Sequence, residues 1–136
     1  MKPHAAKPFR HPVRVYWEDT DAGGIVFYAN YLKFFERART EWLRSLGVEQ
    51  QVLRARTGAM FIVSQTHLHY RSPARLDDLL DVTVDVLDAA RATLRIAQQA
   101  LRGGELLVDG EIRIACVDSP SLRPRRIPDE IRQHLE

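Results

Sequence analysis

A single cysteine, Cys116, in 136 residues leaves no partner for an internal disulfide, so the fold has to be held by packing. No uninterrupted apolar stretch approaches the ~20 residues that a bilayer-spanning helix needs, and membrane insertion is not expected. The opening MKPHAAKPFRHP has basic residues and prolines but lacks the apolar core of a secretion leader, and a reducing cytoplasm is the expected location. Neither sign of charge dominates: 20 Lys and Arg face 18 Asp and Glu, a formal net charge of +2. The basic residues Lys2, Lys7, Arg10 and Arg14, and the group Arg123, Arg125 and Arg126, read as solvated surface, and no nucleic-acid partner is expected. Seven Gly and seven Pro are too few for a fibrous or disordered chain, and no repeat or low-complexity tract appears.

What remains is an ordinary globular composition, 45% hydrophobic and 28% charged, at a length that buries roughly two thirds of its unfolded surface as one domain. Residues 1–12 hold three of the prolines and read as a flexible arm. The domain is expected over 13–126, with 127–136 a tail or short helix. From Val13, alternation of Val13, Val15 and Trp17 with Arg14 and Tyr16 predicts a half-buried strand. In residues 30–46, Tyr31, Phe34, Phe35, Ala38, Trp42 and Leu46 recur at three- and four-residue spacing, opposite Lys33, Arg37, Glu41 and Arg44. That is an amphipathic helix, with Asn30 placed as its N-cap and Gly47 as its C-terminal stop.

A short helical piece is expected at 50–56. Period-two patterns then predict strands at 61–70, 81–87, 92–101 and 106–117, the last with Leu106, Val108, Ile112, Ile114 and Cys116 on one side. The joints at 88–91 and 102–104 are short enough for hairpins, so the last three strands should pair antiparallel in chain order. A helix with a wide aromatic stripe and a meander with one apolar face each need the cover that the other provides. The predicted fold is α+β, an antiparallel sheet curled around one long helix.

Chemistry concentrates in EDTDAGGIVFYANY, between the first strand and the helix. Acidic Glu18, Asp19 and Asp21 are costly to bury, yet Ile25, Val26 and Phe27 follow at once, so a carboxylate is expected beside an apolar pocket and ahead of a helix N-terminus. First-turn N–H groups can stabilise a thioester carbonyl as its oxygen gains charge. Asp21 can attack that carbonyl or deprotonate a water, and Gly23 and Gly24 let the backbone approach a ligand closely.

The run YWEDTDAGGIVFYANYLKFFERARTEWLRSLGV, continued by HYRSPARLDDLL, resembles the hotdog-fold thioesterases of the 4-hydroxybenzoyl-CoA type, and most nearly their Tol–Pal-associated acyl-CoA branch. The resemblance spans residues 11–126. It implies a hotdog fold, acyl-CoA hydrolysis with Asp21 as the catalytic carboxylate, and a carbonyl polarised by the backbone N–H of Tyr28. It also implies a homodimer or homotetramer with sites at subunit interfaces, an acyl-CoA or acyl-carrier-protein substrate, no metal or other cofactor, and CoA phosphates held by loop arginines. Arg71, Arg75, Arg91 and the group at 123–126 are the candidates. Tol–Pal-associated relatives often have histidine where this chain has Tyr28, which leaves the backbone donor intact but leaves open the choice of acyl group.

Other readings are weaker. Asp19, Asp21 and Gly24 match three positions of a calcium loop, but Gly23 and Asn30 stand where two more ligands are needed. An aspartate-dependent phosphatase requires a parallel sheet, and a hotdog dehydratase requires a histidine at the helix entrance. His67 and His69 share a strand face without a third ligand, and Cys116 reads as a small core residue. Asp19 and Glu18 are assigned to turn structure, and the Asp77 and Asp78 pair to a turn into the next strand. A non-catalytic acyl-CoA binding module is the alternative of a different class.

Overall fold

The computed structural model describes residues 8–135. Its elements run β1 (Phe9–Arg14), α1 (Asn30–Ser45), α2 (Gln50–Thr57), β2 (Ala59–Tyr70), β3 (Leu79–Ala89), β4 (Thr93–Arg102), β5 (Glu105–Asp118) and α3 (Asp129–Arg132), with one 3-10 turn at Trp17–Asp19. The strands form one antiparallel sheet in the order β1-β3-β4-β5-β2. The three-strand meander predicted from period two is its centre, closed by a tight turn at Gly103 and Gly104 between β4 and β5. β1 and β2 are the edges, a placement that periodicity alone does not decide.

The first strand begins ahead of Val13, because β3 is long enough to pair with it as far back as Phe9, which lies opposite Val84. Of the expected arm, residues 1–7 lie outside the described residues, and 9–12 are paired in β1. Val13 and Val15 are buried as predicted, but Trp17 is 80% exposed: the chain leaves the sheet after Arg14 and turns, so the alternation stops. A similar local effect corrects β5. The pairing with β4 shifts between Ala100 and Leu101, and Leu107 joins Val108 in the core where Leu106 was expected.

α1 buries Tyr31, Phe34, Phe35, Ala38 and Leu43 against the sheet, while Trp42 and Leu46 are only partly covered. Phe34 and Phe35 are fully buried, and truncating either to alanine is expected to cost ~3–5 kcal/mol. Asn30 is the first helical residue rather than the cap; its Nδ2 donates to the Asp19 carbonyl at 2.9 Å, tying the helix to the preceding turn. At the other end Gly47 N–H donates to Arg44 O at 2.9 Å, as expected of a terminating residue. Glu41 pairs with Arg44 at 3.4 Å, and the Arg37 guanidinium lies 5.9 Å from the centroid of the Phe34 ring. Beyond β5 the chain packs Ile127 and Ile131 into the core, the latter from α3. No helix among the described residues is long and apolar enough to cross a membrane.

Candidate active site

Residues 19–27 fold back on themselves. Phe27 N–H donates to Asp19 O at 3.0 Å, Thr20 and Val26 form an antiparallel bridge, and Asp21 N–H donates to Ile25 O at 2.8 Å. Gly24, at φ 78°, turns the chain and donates to Asp21 O at 3.0 Å. Asp21 Oδ1 accepts the Gly23 N–H at 2.8 Å, an Asx turn that local carboxylates form readily. A Cβ at Gly23 would sit 3.2 Å from that oxygen and crowd it. The second oxygen, Oδ2, meets no donor among the described residues.

The base of the loop is fixed by its neighbours. Asp19 is 7% exposed, and its Oδ2 accepts the Tyr16 N–H at 2.8 Å, the turn-capping role assigned from the sequence. Val26 N–H donates to Ala74 O at 2.9 Å, and Ile25 bridges Arg75. The Tyr31 hydroxyl accepts the Ala74 N–H at 3.1 Å, and Tyr70 Oη donates to Tyr28 O at 3.1 Å. The loop is thus stitched to α1, to the end of β2 and to the segment that begins Ser72-Pro73-Ala74. The backbone N–H of Tyr28, just before α1, has no acceptor among the described residues.

Burial divides the predicted substrate-contacting residues. Val26 is buried and Ile25 half-buried, whereas Phe27, Tyr28, Gly23, Gly24 and Asp21 are exposed in the single chain. The Phe27 and Tyr28 rings meet at a tilt of 48° with centroids 4.7 Å apart, and Tyr28 meets Tyr70 edge-on at 6.3 Å. A shallow cavity of about 270 Å³ lies under them, lined by Ile25, Val26, Tyr28, Tyr31, Tyr70, Arg71, Ser72 and Pro73. Burial raises the Tyr31 hydroxyl above its ordinary range, so it stays protonated and neutral beside that cavity. Tyr70, Ser72 and Pro73 are members of the site that periodicity does not reveal, and Tyr31 was read only as part of the helix stripe.

The predicted arginines separate clearly. Arg71 grips Asp109 with two bonds, at 2.7 and 3.2 Å, and Arg126 pairs with Asp129 at 2.6 Å. Arg125 donates to Thr57 O at 2.5 Å. Arg75, Arg91 and Arg123 make no side-chain hydrogen bond among the described residues, and of these Arg75 is the one bridged to the Asp21 loop. Asp78 has structural work: burial acts to raise its carboxyl, but the Arg75 N–H and Arg102 guanidinium outweigh that and hold it below the ordinary value. His67 and His69 pair edge-on at 6.0 Å, and no cluster among the described residues could hold a metal ion. Cys116 is fully buried and its thiol is pushed up by burial, with Arg125 only partly opposing.

A free carboxylate oxygen, an unsatisfied N–H at a helix entrance and a small apolar recess make a set suited to acyl transfer. The sequence matches the family described as the Thioesterase-like superfamily over residues 15–135. It is 44% identical over 124 residues to the acyl-CoA thioesterase YbgC of Haemophilus influenzae, covering 91% of each chain. With the acyl-CoA thioester hydrolase YbgC of an Escherichia coli strain it shares 43% identity, covering 90% of this chain and 92% of the relative. The crystal structure of a probable thioesterase from Bartonella henselae has a TM-score of 0.84 at 32% identity, covering 90% of this chain and all of that one. A 1,4-dihydroxy-2-naphthoyl-CoA thioesterase from Synechocystis, 19% identical with a TM-score of 0.87 over 95% of this chain and 96% of that one, shares the fold.

Proposed function

This chain belongs to the thioesterase-like superfamily, with the hotdog fold, and on that premise we propose how it hydrolyses an acyl-CoA to the free acid and CoA. Asp21 is the nucleophile or general base. In the general-base route its free oxygen takes a proton from water, the hydroxide adds to the thioester carbonyl, and the C–S bond breaks to release CoA as the thiol. In the nucleophilic route the carboxylate adds directly and the C–S bond breaks to expel CoA as the thiolate. Water then hydrolyses the resulting anhydride to the free acid and regenerated Asp21, the proton released from water neutralising the thiolate. The Tyr28 N–H receives the carbonyl oxygen in both, and such a donor is typically worth ~100- to 1000-fold in rate.

The observation that carries this reading is a complementary pair in one stitched loop: a carboxylate oxygen with no donor and a helix-entry N–H with no acceptor. Gly23, Gly24, Ile25, Val26 and Phe27 then form the surface against which the thioester lies, and Arg75, whose backbone bridges Ile25, is the proposed partner of the CoA phosphates. An acyl carrier protein presents the same thioester and is the alternative donor. The site is incomplete in one chain, since Asp21 and Tyr28 stand in water. A second copy completes it. β2 is an edge strand of 12 residues with Ile62, Val63 and Tyr70 exposed, an edge that proteins normally cover or pair. Two-fold pairing of β2 with its symmetry mate gives a homodimer that brings new walls over Tyr28, with a tetramer of two dimers as the larger assembly. The cytoplasm, where acyl-CoA is made and used and Cys116 stays reduced, is the proposed setting.

The test is free-thiol release from a panel of acyl-CoAs by wild type and by Asp21→Asn. Asparagine keeps an oxygen for the Gly23 N–H, so the loop survives while basicity is lost. The variant should lose about 100- to 10,000-fold in kcat. Equal background release from both proteins, with acyl-CoA still bound, would instead identify a binding module.

A further inference from the structure

A larger cavity of about 650 Å³ lies farther along α1, between the second half of that helix and the start of β2. Its sheet side is apolar, with Phe61, Leu94, Ile96 and Ile114. Its helix side carries Arg39 and Glu36. Arg39 is half-buried, and among the described residues it makes one side-chain hydrogen bond, from Nη1 to Gln98 Oε1 at 2.8 Å. Gln98 is fully buried and has nothing further to offer: its amide nitrogen donates to Phe35 O and Thr83 O, both at 3.1 Å. A guanidinium has five N–H donors, and no carboxylate among the described residues lies within ion-pair distance of this one. Burial pulls Arg39 below its ordinary range, with only the charge of Glu36 opposing. A cation left short of acceptors beside an apolar cavity is an arrangement that a ligand oxygen would complete.

β2 connects this cavity to the catalytic loop. The strand starts beside it, at Phe61, Ile62 and Val63, and ends at Tyr70, which holds Tyr28. Two-fold pairing of free β2 edges is antiparallel, so the start of β2 in one copy lies beside the end of β2 in the other. In that pairing the Arg39 cavity of one protomer would lie beside the Tyr70 end of β2, and the Tyr28 it holds, in its partner. We infer that this cavity receives the far end of the acyl group and that Arg39 selects acyl chains ending in a carboxylate. The planar fork of arginine matches the two carboxylate oxygens, and the apolar sheet side accommodates the methylenes between the two ends. The inference rests on the thioesterase reading and on the pairing proposed with it; Arg39 is a specificity-determining residue and takes no part in the bond changes.

The experiment compares kcat/KM for octanoyl-CoA, 8-hydroxyoctanoyl-CoA and suberoyl-CoA, which share a carbon count and end in methyl, hydroxyl and carboxylate. Wild type should favour suberoyl-CoA over octanoyl-CoA, and Arg39→Gln should lower that ratio roughly 10- to 100-fold, the range of a hydrogen bond to a charged group. A ratio unchanged within about threefold in a variant that melts like wild type overturns the inference. So does a wild type that prefers the hydroxyl terminus to the carboxylate. Should Arg39→Gln fail to fold, Arg39→Lys decides: it keeps the charge but not the fork, and the ratio should fall several-fold rather than stay constant. Failure of the underlying thioesterase reading has a different signature, no thiol release from any of the three substrates by wild type, and it overturns both.

Discussion

Gly110 sits inside β5, opposite Leu68 of β2 and Gln98 of β4, where a side chain on an ordinary strand would be harmless. Here the strands are too close for one. A Cβ built on Gly110 would run into the carbonyl oxygen of His67, reach Leu68 Cδ2 at 2.5 Å and stand 3.0 Å from Leu68 Cα. The leucine side chain can turn aside, but two of the three obstacles are backbone, so Gly110→Ala has to push β2 away from β5. Overpacking usually costs ~1–3 kcal/mol, and a backbone obstacle places this site at the upper end. Against a total stability of ~5–15 kcal/mol the loss is large. For a domain of this size each kcal/mol moves Tm by ~3–5 °C, so a fall of about 8–15 °C is expected by calorimetry or circular dichroism. Activity should fall too, because β2 carries both Tyr70 and the edge proposed to pair. A variant that melts within about 2 °C of wild type would refute the close approach and the packing argument built on it.

Two further outcomes are expected. Tyr70→Phe removes the donor to Tyr28 O while keeping the ring, and loss of one half-exposed hydrogen bond of ~0.5–1.5 kcal/mol should lower kcat about 2- to 10-fold with KM less affected. An unchanged kcat would show that Tyr70 does not hold the Tyr28 peptide in place. Asp109 is held below the ordinary carboxyl value of 3.8 chiefly by its hydrogen bonds from Arg71, and Asp78 is lowered as well. Carboxyls depressed on folding contribute stability that is fully present above the unfolded value and is lost as pH falls through the folded ones. Tm should therefore hold from neutral pH to about 4 and drop below it, and Asp109→Asn should flatten that acid limb. An acid limb identical in the variant would remove Asp109 from the account.

How much of this could be read in one dimension follows from the range of each interaction. Helix α1 was visible because its stripe of Tyr31, Phe34, Phe35 and Ala38 is a local repeat, and the β3-β4-β5 meander because period two and short joints are local too. The Asp21 loop was visible for a related reason. Three acids beside an apolar run form a chemical contradiction within one short segment, which a folded chain must resolve at a specific place. Trp17 and Leu106 were misplaced because each lies where a regular pattern meets an irregularity, a turn for one and a register shift for the other.

Partners distant in the chain were the part that composition and spacing left open. Tyr70 reaches Tyr28, Arg39 reaches Gln98, Arg71 reaches Asp109 and Asn30 reaches Asp19 only because the sheet order sets β2 beside β5 and lays α1 across the sheet. By itself the sequence determined which segments are amphipathic, with what period, and which acidic segment leads into the long helix, since these depend on neighbours a few residues apart. Only the tertiary structure decided which two strands are left as edges, which arginines are already engaged and which still have donors to spare. Hydrogen bonds and ion pairs are fixed by distances in space of a few ångströms, and separation along the chain carries almost no information about those.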